Sequence, residues 1–356
     1  AARRRLTREL IEEHGVRLFT FEATFSAVTP VNEYVQGGDG DAEALFSTSG
    51  ISWPYRCESL VSFVEWIREF NEGRDPEDTV AVHGIDATEY TLPAARLVAF
   101  LREAGDEELV GDSLAYLAGV SNGEVDPDEV TLDRVSEAAE AAIPSLESAF
   151  ENGSAADVDG ARLARLHLDA LRGAHELQDE DAALTREEAM ADLLESLLEQ
   201  ETDGRAVVWG HDSHLKRGDV SWDGEEPALG ELLDRRFGEE YCPLGTEFGG
   251  GCVRTIAKKD GGAGYETYEV DSLGDRSLPA VFSRVADEPF LLNVGQAAED
   301  SVVGEWFDGN PDRRSVSASV DGLSTTAETD LPGAFGALLF VPESSPTELV
   351  APLFPD

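Results

Sequence analysis

Arg205-Ala-Val-Val-Trp-Gly-His-Asp-Ser-His214 is the stretch that decides the fold and the candidate site. Ala206 to Trp209 is an apolar, β-favouring run, which predicts a buried strand that Gly210 ends. His211 and His214 follow directly, so two of the six histidines lie where a strand meets a loop. Ligands of open α/β sheets bind at the carboxyl ends of strands, which makes the pair a candidate site. The alternative is that one histidine caps the strand end and the other faces water.

Two further predicted strands end beside acidic side chains. Glu22 follows the apolar run 16–21 directly, and the run 79–86 ends in Asp86. A carboxylate at the end of a buried strand has a desolvation cost unless it is paired or functional. For Glu22 the alternative is a cap on the next helix. Because three predicted strands end in polar residues, we expect Glu22, Asp86, His211 and His214 to line a catalytic rim.

The middle of the chain has a helical pattern and lacks strands. Apolar residues recur at helical spacing from residue 92 to 201, and the other faces are acidic. This pattern predicts a bundle of helices at 92–104, 107–120, 127–152, 157–178 and 185–200. We therefore predict an α/β fold with a mostly parallel central sheet flanked by helices. Residues 1–91 and 202–356 would form the core, and the helical insertion 92–201 would cover the carboxyl-end rim. His167 and His175 are interpreted as ordinary helix-face residues.

Short apolar runs in the last third predict strands. They lie at 241–246, 253–257, 265–270, 290–294 and 334–341. Gly249-Gly-Gly251 predicts a turn between the first two, and it lacks the spacing of a phosphate-binding loop. The polar tract 309–332 predicts a surface loop.

The charge of the chain indicates its habitat. There are 73 acidic against 27 basic residues, a formal net charge of −46. Such a surface repels itself in dilute salt, whereas at molar salt the Debye length falls to about 3 Å. We therefore expect an intracellular protein of a salt-accumulating, haloarchaeal-type halophile. No basic stripe is present to contact nucleic-acid phosphates.

Three cysteines and the hydropathy pattern bear on location. Cys57, Cys242 and Cys252 are odd in number and lack metal-ligand spacing, which suggests reduced thiols. No apolar run of membrane-spanning length and no signal peptide are visible. We expect a cytoplasmic protein that does not associate with membranes.

Several segments, taken in order, resemble the erythromycin esterase family, which includes succinoglycan-biosynthesis-like proteins. The most specific part is His-x-x-His after a Val-Val strand. The matching segments are Phe21-Glu-Ala23, Trp53…Arg56…Glu58 with Phe63–Asn71, Gly84-Ile-Asp86, Val207–His214, Leu229-Gly-Glu-Leu-Leu233 and Leu244-Gly-Thr-Glu-Phe-Gly249. The resemblance runs from residue 3 to about residue 342.

The resemblance implies a metal-independent hydrolase that opens a macrolide lactone with histidine-activated water and no cofactor. It implies that His211 and His214 line the site with Glu22 at its rim. Arg3 matches an active-site arginine of the family, and Asp86 matches a residue whose role is less defined. Asp212 stands where asparagine is common in the family, which adds a negative charge between the two histidines.

One family segment is missing from the sequence. The family's proposed general base lies in a Gly-Glu-x-x-His segment on the first strand, and no such segment occurs in these 356 residues. We expect the missing strand to lie beside strand 16–21, which would otherwise keep an unpaired edge. We therefore expect the gene product to begin upstream of Ala1.

Our leading hypothesis is hydrolysis of a small-molecule ester or lactone. A histidine would position or activate water, Arg3 would hold a carboxylate or an oxyanion, and Glu22 would orient a histidine. The first alternative is metal-assisted hydrolysis through His211 and His214, with Glu22 and Asp86 as further ligands. The second is a non-catalytic homologue that binds a small molecule. The substrate, any resistance role and the oligomeric state stay open.

Overall fold

The chain forms two compact units. The structure, a computed structural model, describes residues 2–47, 50–126, 132–151, 158–177, 185–200, 204–220, 226–259, 262–270, 273–314, 316 and 329–350. The N-terminal unit contains Thr7–Tyr55 and Phe63–Trp209. The C-terminal unit contains Ala1–Leu6, Arg56–Ser62 and Gly210–Asp356. The helical segment 92–201 groups with the first strands, and its treatment as a separate domain stays a prediction.

A parallel three-stranded sheet organises the N-terminal unit. Its strands are β1 (Leu18–Thr24), β2 (Ala81–Asp86) and β3 (Ala206–Trp209), in the order β2-β1-β3. Phe21 aligns with Gly84 on one side and with Trp209 on the other. The three strands expected from the sequence are confirmed. The unpaired edge expected for strand 16–21 was wrong, because β3 returns from much later in the chain to pair with it.

Aromatic packing fixes one face of this sheet. The rings of Phe19 and Trp209 meet edge to face at 5.0 Å, and Phe63 stacks on Trp209 at 5.6 Å. Trp209 also donates its indole N–H to Thr7 at 3.1 Å. Edge-to-face and offset pairs of this kind add stability beyond the area they bury. The end of β3, from which the histidine segment leaves, is therefore held firmly. The first helices are α1 (Ala2–His14), α2 (Phe25–Val35), α3 (Ala42–Phe46) and α4 (Glu58–Asn71).

The predicted helical insertion is confirmed as a bundle. Its members are α5 (Thr91–Ala104), α6 (Asp112–Ser121), α7 (Leu132–Glu151), α8 (Val158–Glu176) and α9 (Arg186–Gln200). Leu97, Leu117, Leu146, Leu168 and Leu171 belong to one buried cluster shared by α5 to α8. The apolar stripe of each helix faces its neighbours, which is the reason for the period in the sequence.

A mixed four-stranded sheet organises the C-terminal unit. Its strands are β4 (Leu244–Lys259), β5 (Gly262–Glu269), β6 (Phe290–Asn293) and β7 (Ala337–Ser344), in the order β5-β4-β7-β6. The helices are α10 (Asp212–Leu215), α11 (Leu229–Phe237), α12 (Leu278–Val285), α13 (Val294–Ala298), α14 (Ser301–Asp308) and α15 (Leu331–Ala334). The α/β class with open sheets flanked by helices is confirmed, and its strands are shared between two sheets.

Two sequence expectations for the C-terminal unit were wrong. The segments 241–246 and 253–257 do not form two strands joined by a glycine turn, because β4 runs through both. Gly250 and Gly251 stay in register with Glu343 and Ser344 of β7. The tract 309–332 is not wholly a surface loop, because Arg313 and Arg314 are buried. Residues 315 and 317–328 of that tract lie outside the described residues. Among the described helices, none has the length and apolarity needed to cross a bilayer.

Candidate functional site

Glu22 and Asp86 meet at the carboxyl ends of β1 and β2 in the N-terminal unit. Both accept hydrogen bonds from one Nη2 of Arg186, at 3.1 Å for Glu22 and 2.7 Å for Asp86. The carboxylates are largely buried, with side-chain exposures of 18% and 9%, whereas the Arg186 side chain is 35% exposed. The strand ends therefore carry a cluster of two acids and one arginine with a net formal charge of −1.

A capping box places Arg186 at the first turn of α9. Thr185 Oγ1 accepts from the amide of Glu188 at 3.2 Å, and Glu188 accepts from the amide of Thr185 at 2.8 Å. This reciprocal pair satisfies two free amides and fixes where the helix begins. Burial opposes the charge of Arg186, but the hydrogen bonds and charges of Asp86 and Glu22 prevail and raise its pKa above the ordinary value. Arg186 is thus a permanent cation at this rim.

His211 is the N-cap of α10 in the C-terminal unit. Its Nδ1 accepts from the amide of Ser213 at 3.2 Å and lies 2.7 Å from Ser213 Oγ. Its Nε2 lies 3.2 Å from the carbonyl oxygen of Val316. A carbonyl accepts only, so Nε2 carries the proton and Nδ1 accepts. The neutral Nε2–H tautomer satisfies all of these contacts. His211 therefore caps the helix that follows β3, and it is the exposed one of the two histidines.

His214 and Arg3 complete the residues predicted for the site in this unit. His214 is half-buried within α10, and its amide donates to the carbonyl of His211 at 2.9 Å. Arg3 is exposed in the first turn of α1. His211 and His214 are thus brought onto one helical turn, and Glu22 and Asp86 are brought onto one arginine. Their catalytic roles stay predictions.

Asp212 is turned toward the C-terminal sheet. Its carboxylate accepts from the Thr246 amide at 2.9 Å, from Thr246 Oγ1 at 3.3 Å and from Arg313 at 2.5 Å. Arg313 also donates to the Thr246 carbonyl at 3.1 Å. The negative charge that we expected between the histidines is therefore neutralised by Arg313.

Further contacts anchor the rest of the histidine segment, 211–218. Tyr241 donates to the Leu215 carbonyl at 2.6 Å, and Arg217 is paired with Asp234 at 2.6 Å. Gly230 allows α11 to approach closely, because a Cβ there would lie 2.4 Å from the Leu215 carbonyl oxygen. The glycine of the Leu-Gly-Glu-Leu-Leu motif thus lets the backbone of α11 pack directly against the backbone of the histidine segment.

Glu247 adds a titratable group beneath this segment. Its carboxylate accepts from the amides of Phe248 and Arg314, both at 3.0 Å. Burial raises the pKa of Glu247 to about 7, although Arg313 and the two amides act in the opposite direction. The side chain is 1% exposed. The charges of Arg313 and Asp212 act on this carboxylate in opposite directions, the first lowering its pKa and the second raising it.

Two buried histidines lie in the N-terminal unit. His83 stacks on Phe25, and His167 Nδ1 lies 2.9 Å from Ser26 Oγ. Burial lowers the pKa of His83 to about 4. Burial, together with the charges of Arg96 and His83, lowers the pKa of His167 to about 3. Both are neutral core residues, whereas His175 is a helix-face residue that lies 3.5 Å from Glu140.

Arg186 and Arg313 are the residues that sequence reasoning missed. Arg186 follows Asp86 by a hundred positions, so no local spacing connects it to the strand ends. The Thr185-Arg-Glu-Glu188 capping box was the available signal. Arg313 lies in a polar tract, and a tract of that composition indicates a loop rather than a buried cation. Among the residues that the structure describes, no group of three or more His, Cys, Asp or Glu side chains is arranged to hold a metal ion.

The structure is that of an α/β protein with open sheets flanked by helices. The family model described as Erythromycin esterase matches residues 11–344. The chain belongs to the erythromycin esterase family, and this membership supports an esterase-like hydrolase.

Solved structures share the fold at low sequence identity. A succinoglycan biosynthesis protein is 16% identical with a TM-score of 0.76, covering 98% of this chain and 84% of its own. A Bacillus cereus protein has the same identity and TM-score, with coverages of 97% and 85%. A mutant of the erythromycin esterase EreC in its open conformation is 18% identical with a TM-score of 0.67, covering 98% and 88%.

Proposed function

We propose that this chain hydrolyses a small-molecule ester or lactone with water activated by a histidine. Family membership supports the reaction class. The observation that carries the proposal is the anchored histidine segment, in which His211 and His214 share one turn directly after the partly buried strand β3. Preorganised groups of this kind lower a barrier because they need little rearrangement during the reaction.

The hydrogen bonds of the segment favour different roles for the two histidines. In the Nε2–H tautomer, His211 Nδ1 is committed to Ser213 and its Nε2–H is a donor. A donor suits a developing oxyanion, whereas activation of water needs an accepting nitrogen. We therefore propose that His214 activates water and that His211 donates its Nε2–H to the oxyanion in place of the Val316 carbonyl, which accepts it in this structure. Arg3 is proposed to hold a carboxylate or stabilise the oxyanion.

Arg186 is a second candidate binding group, and it lies in the N-terminal unit. Its guanidinium is held on one side by Glu22 and Asp86, and about a third of the side chain is exposed. A guanidinium presents five donors, so one that gives a single Nη2 to two carboxylates keeps others for a ligand. We propose that Glu22 and Asp86 orient Arg186 and that Arg186 binds an anionic or carbonyl oxygen of the substrate.

The test is product analysis with the full chain in molar potassium chloride. The substrates are p-nitrophenyl butyrate and erythromycin in water labelled with ¹⁸O. The proposal predicts butyrate and p-nitrophenol from the ester and a ring-opened acid heavier by one water molecule from erythromycin, with the label in the new carboxylate of each acid. Calorimetric binding of erythromycin without turnover of either substrate would favour the non-catalytic alternative. Absence of both binding and turnover would contradict the proposal for these substrate classes.

Dialysis against a chelator separates the metal-assisted alternative. The proposal predicts that the rate with p-nitrophenyl butyrate survives dialysis. Stoichiometric zinc or manganese in the purified protein, with activity restored by that ion alone, would replace histidine activation by metal-assisted hydrolysis.

A further inference from the structure

Asp212 is the anchor that lies between the two candidate histidines. Its two carboxylate oxygens are occupied by Thr246 and Arg313, and its side chain is 18% exposed. Such a carboxylate is committed to structure, because its acceptor positions face β4 rather than solvent. Asp212 therefore acts on the neighbouring residues through the position of α10.

Arg313 is suited to anchoring because it is buried and multiply bound. Its side chain is 6% exposed, and its guanidinium lies over the Phe335 ring at 4.7 Å. One Nη2 binds both Asp212 and the Thr246 carbonyl. A buried charge of this kind depends on its partner, since an unpaired ion is costly in a dry environment. Asp212 and Arg313 therefore hold each other in place.

The pair also connects His211 to the C-terminal sheet. Asp212 fixes the turn whose next residue, Ser213, donates to Nδ1. The Val316 carbonyl faces Nε2 on the other side of the ring. The ion pair therefore anchors the donor that decides which nitrogen of the imidazole accepts.

We propose that Asp212 and Arg313 are positioning residues that fix the tautomer of His211 and the geometry of the His211–His214 turn. The expected effect on kcat rests on the proposed function. The expected effects on the tautomer of His211 and on the amide exchange of the turn do not. Neither residue needs to contact substrate in this arrangement. An asparagine at position 212 would keep an oxygen that faces Thr246, but it would lack the charge that Arg313 requires.

The primary test is ¹⁵N spectroscopy of histidine-labelled full chain, combined with amide exchange. The wild type is expected to show His211 as the Nε2–H tautomer. Asp212→Asn and Arg313→Gln should each mix the tautomers and speed exchange at His214 and Leu215 at least tenfold. The double variant should change by less than the product of the single effects, because the two residues act as one unit.

A milder variant and a control complete the test. Thr246→Val removes one hydroxyl bond to Asp212 and should give a smaller change of the same kind if a charge variant fails to fold. Arg165→Gln breaks the helical pair with Asp169 in α8 and should leave both readouts unchanged. If p-nitrophenyl butyrate is hydrolysed, kcat should fall in the single variants with KM changed less than about twofold, as expected for lost positioning.

Folded Asp212→Asn and Thr246→Val proteins with wild-type tautomer and exchange rates would overturn the positioning role. The two proposals fail separately. A protein without esterase activity can still show the tautomer change, and an active protein with unchanged tautomers would retain the proposed function.

Discussion

The cluster of Glu22, Asp86 and Arg186 and the pair of Asp212 and Arg313 both join acidic side chains to an arginine from a distant segment of the chain. The two arginines differ in exposure. The Arg186 side chain is 35% exposed and faces two acids, whereas the Arg313 side chain is 6% exposed and pairs with one. The partly exposed guanidinium of Arg186 can reach a ligand, whereas the buried guanidinium of Arg313 can reach only the protein atoms around it. The difference in exposure is the reason that we propose a binding role for Arg186 and a positioning role for Arg313.

Salt concentration should have the largest effect on the melting temperature. This effect reports on the exposed surface charge rather than on the two arginine clusters. With a net charge of −46, the melting temperature should rise by more than about 10 °C between low and molar potassium chloride. Screening removes surface repulsion, while isolated exposed pairs contribute only about 0–1 kcal/mol each. Calorimetry across the salt series checks this. A flat melting temperature would contradict the halophile interpretation.

Substitution of Arg186 should have the next largest effect. Arg186→Gln removes the ligand-facing cation, and we expect kcat/KM with p-nitrophenyl butyrate to fall ten- to a hundredfold, about 1.4–2.8 kcal/mol of transition-state stabilisation. The matched control is Arg172→Gln on α8, whose arginine lies 3.1 Å from Glu147 at similar exposure. Equal rates in the two variants would remove Arg186 from the proposed site.

The pH response should give the smallest effect and distinguishes the two buried networks. The pKa of His83 falls from 6.5 to about 4 on folding. Its contribution to the free energy of unfolding is therefore complete above pH 6.5 and is lost as the pH falls toward 4. The pKa of Glu247 rises from 4.5 to about 7 on folding. Its contribution to the free energy of unfolding is therefore present below pH 4.5 and is lost as the pH rises toward 7. The two units therefore respond in opposite directions between about pH 4.5 and 6.5.

The variant His83→Phe tests this difference while keeping an aromatic ring against Phe25. The slope of unfolding free energy against pH should fall by up to about 1.4 kcal/mol per pH unit, the contribution of one proton. Urea unfolding in molar potassium chloride between pH 5 and 6.5 measures it. An unchanged slope would show that His83 does not couple protonation to folding.

Local periodicity predicted most of the helices and the three parallel strands. The run Ala206–Trp209 is a strand as expected, and the 3.6-residue period gave the bundle of α5 to α8. Strand alternation could not reveal that β4 continues through Gly249-Gly-Gly251, because glycine carries no side chain to show a face. The glycines stay in the strand because they pair with β7, whose residues lie almost a hundred positions further along the chain.

The candidate site was predictable only in its strand-end residues. Glu22, Asp86, His211 and His214 stand next to recognisable strands, so pattern and position identified them. Arg186 and Arg313 became visible only through tertiary contacts, because a charged side chain in a helix or polar tract gives no local sign of its partner. The cations that neutralise both clusters were therefore the part that sequence reasoning missed.

The most direct measurement compares His211→Gln, His214→Gln and His175→Gln on p-nitrophenyl butyrate, with unfolding checked in parallel. His175 is the matched control, a helix-face histidine beside Glu140. Proposed roles in oxyanion donation and water activation predict kcat losses of about 10²–10⁴-fold for the first two and none for the third. Wild-type rates in folded His211→Gln and His214→Gln proteins would contradict histidine-activated hydrolysis.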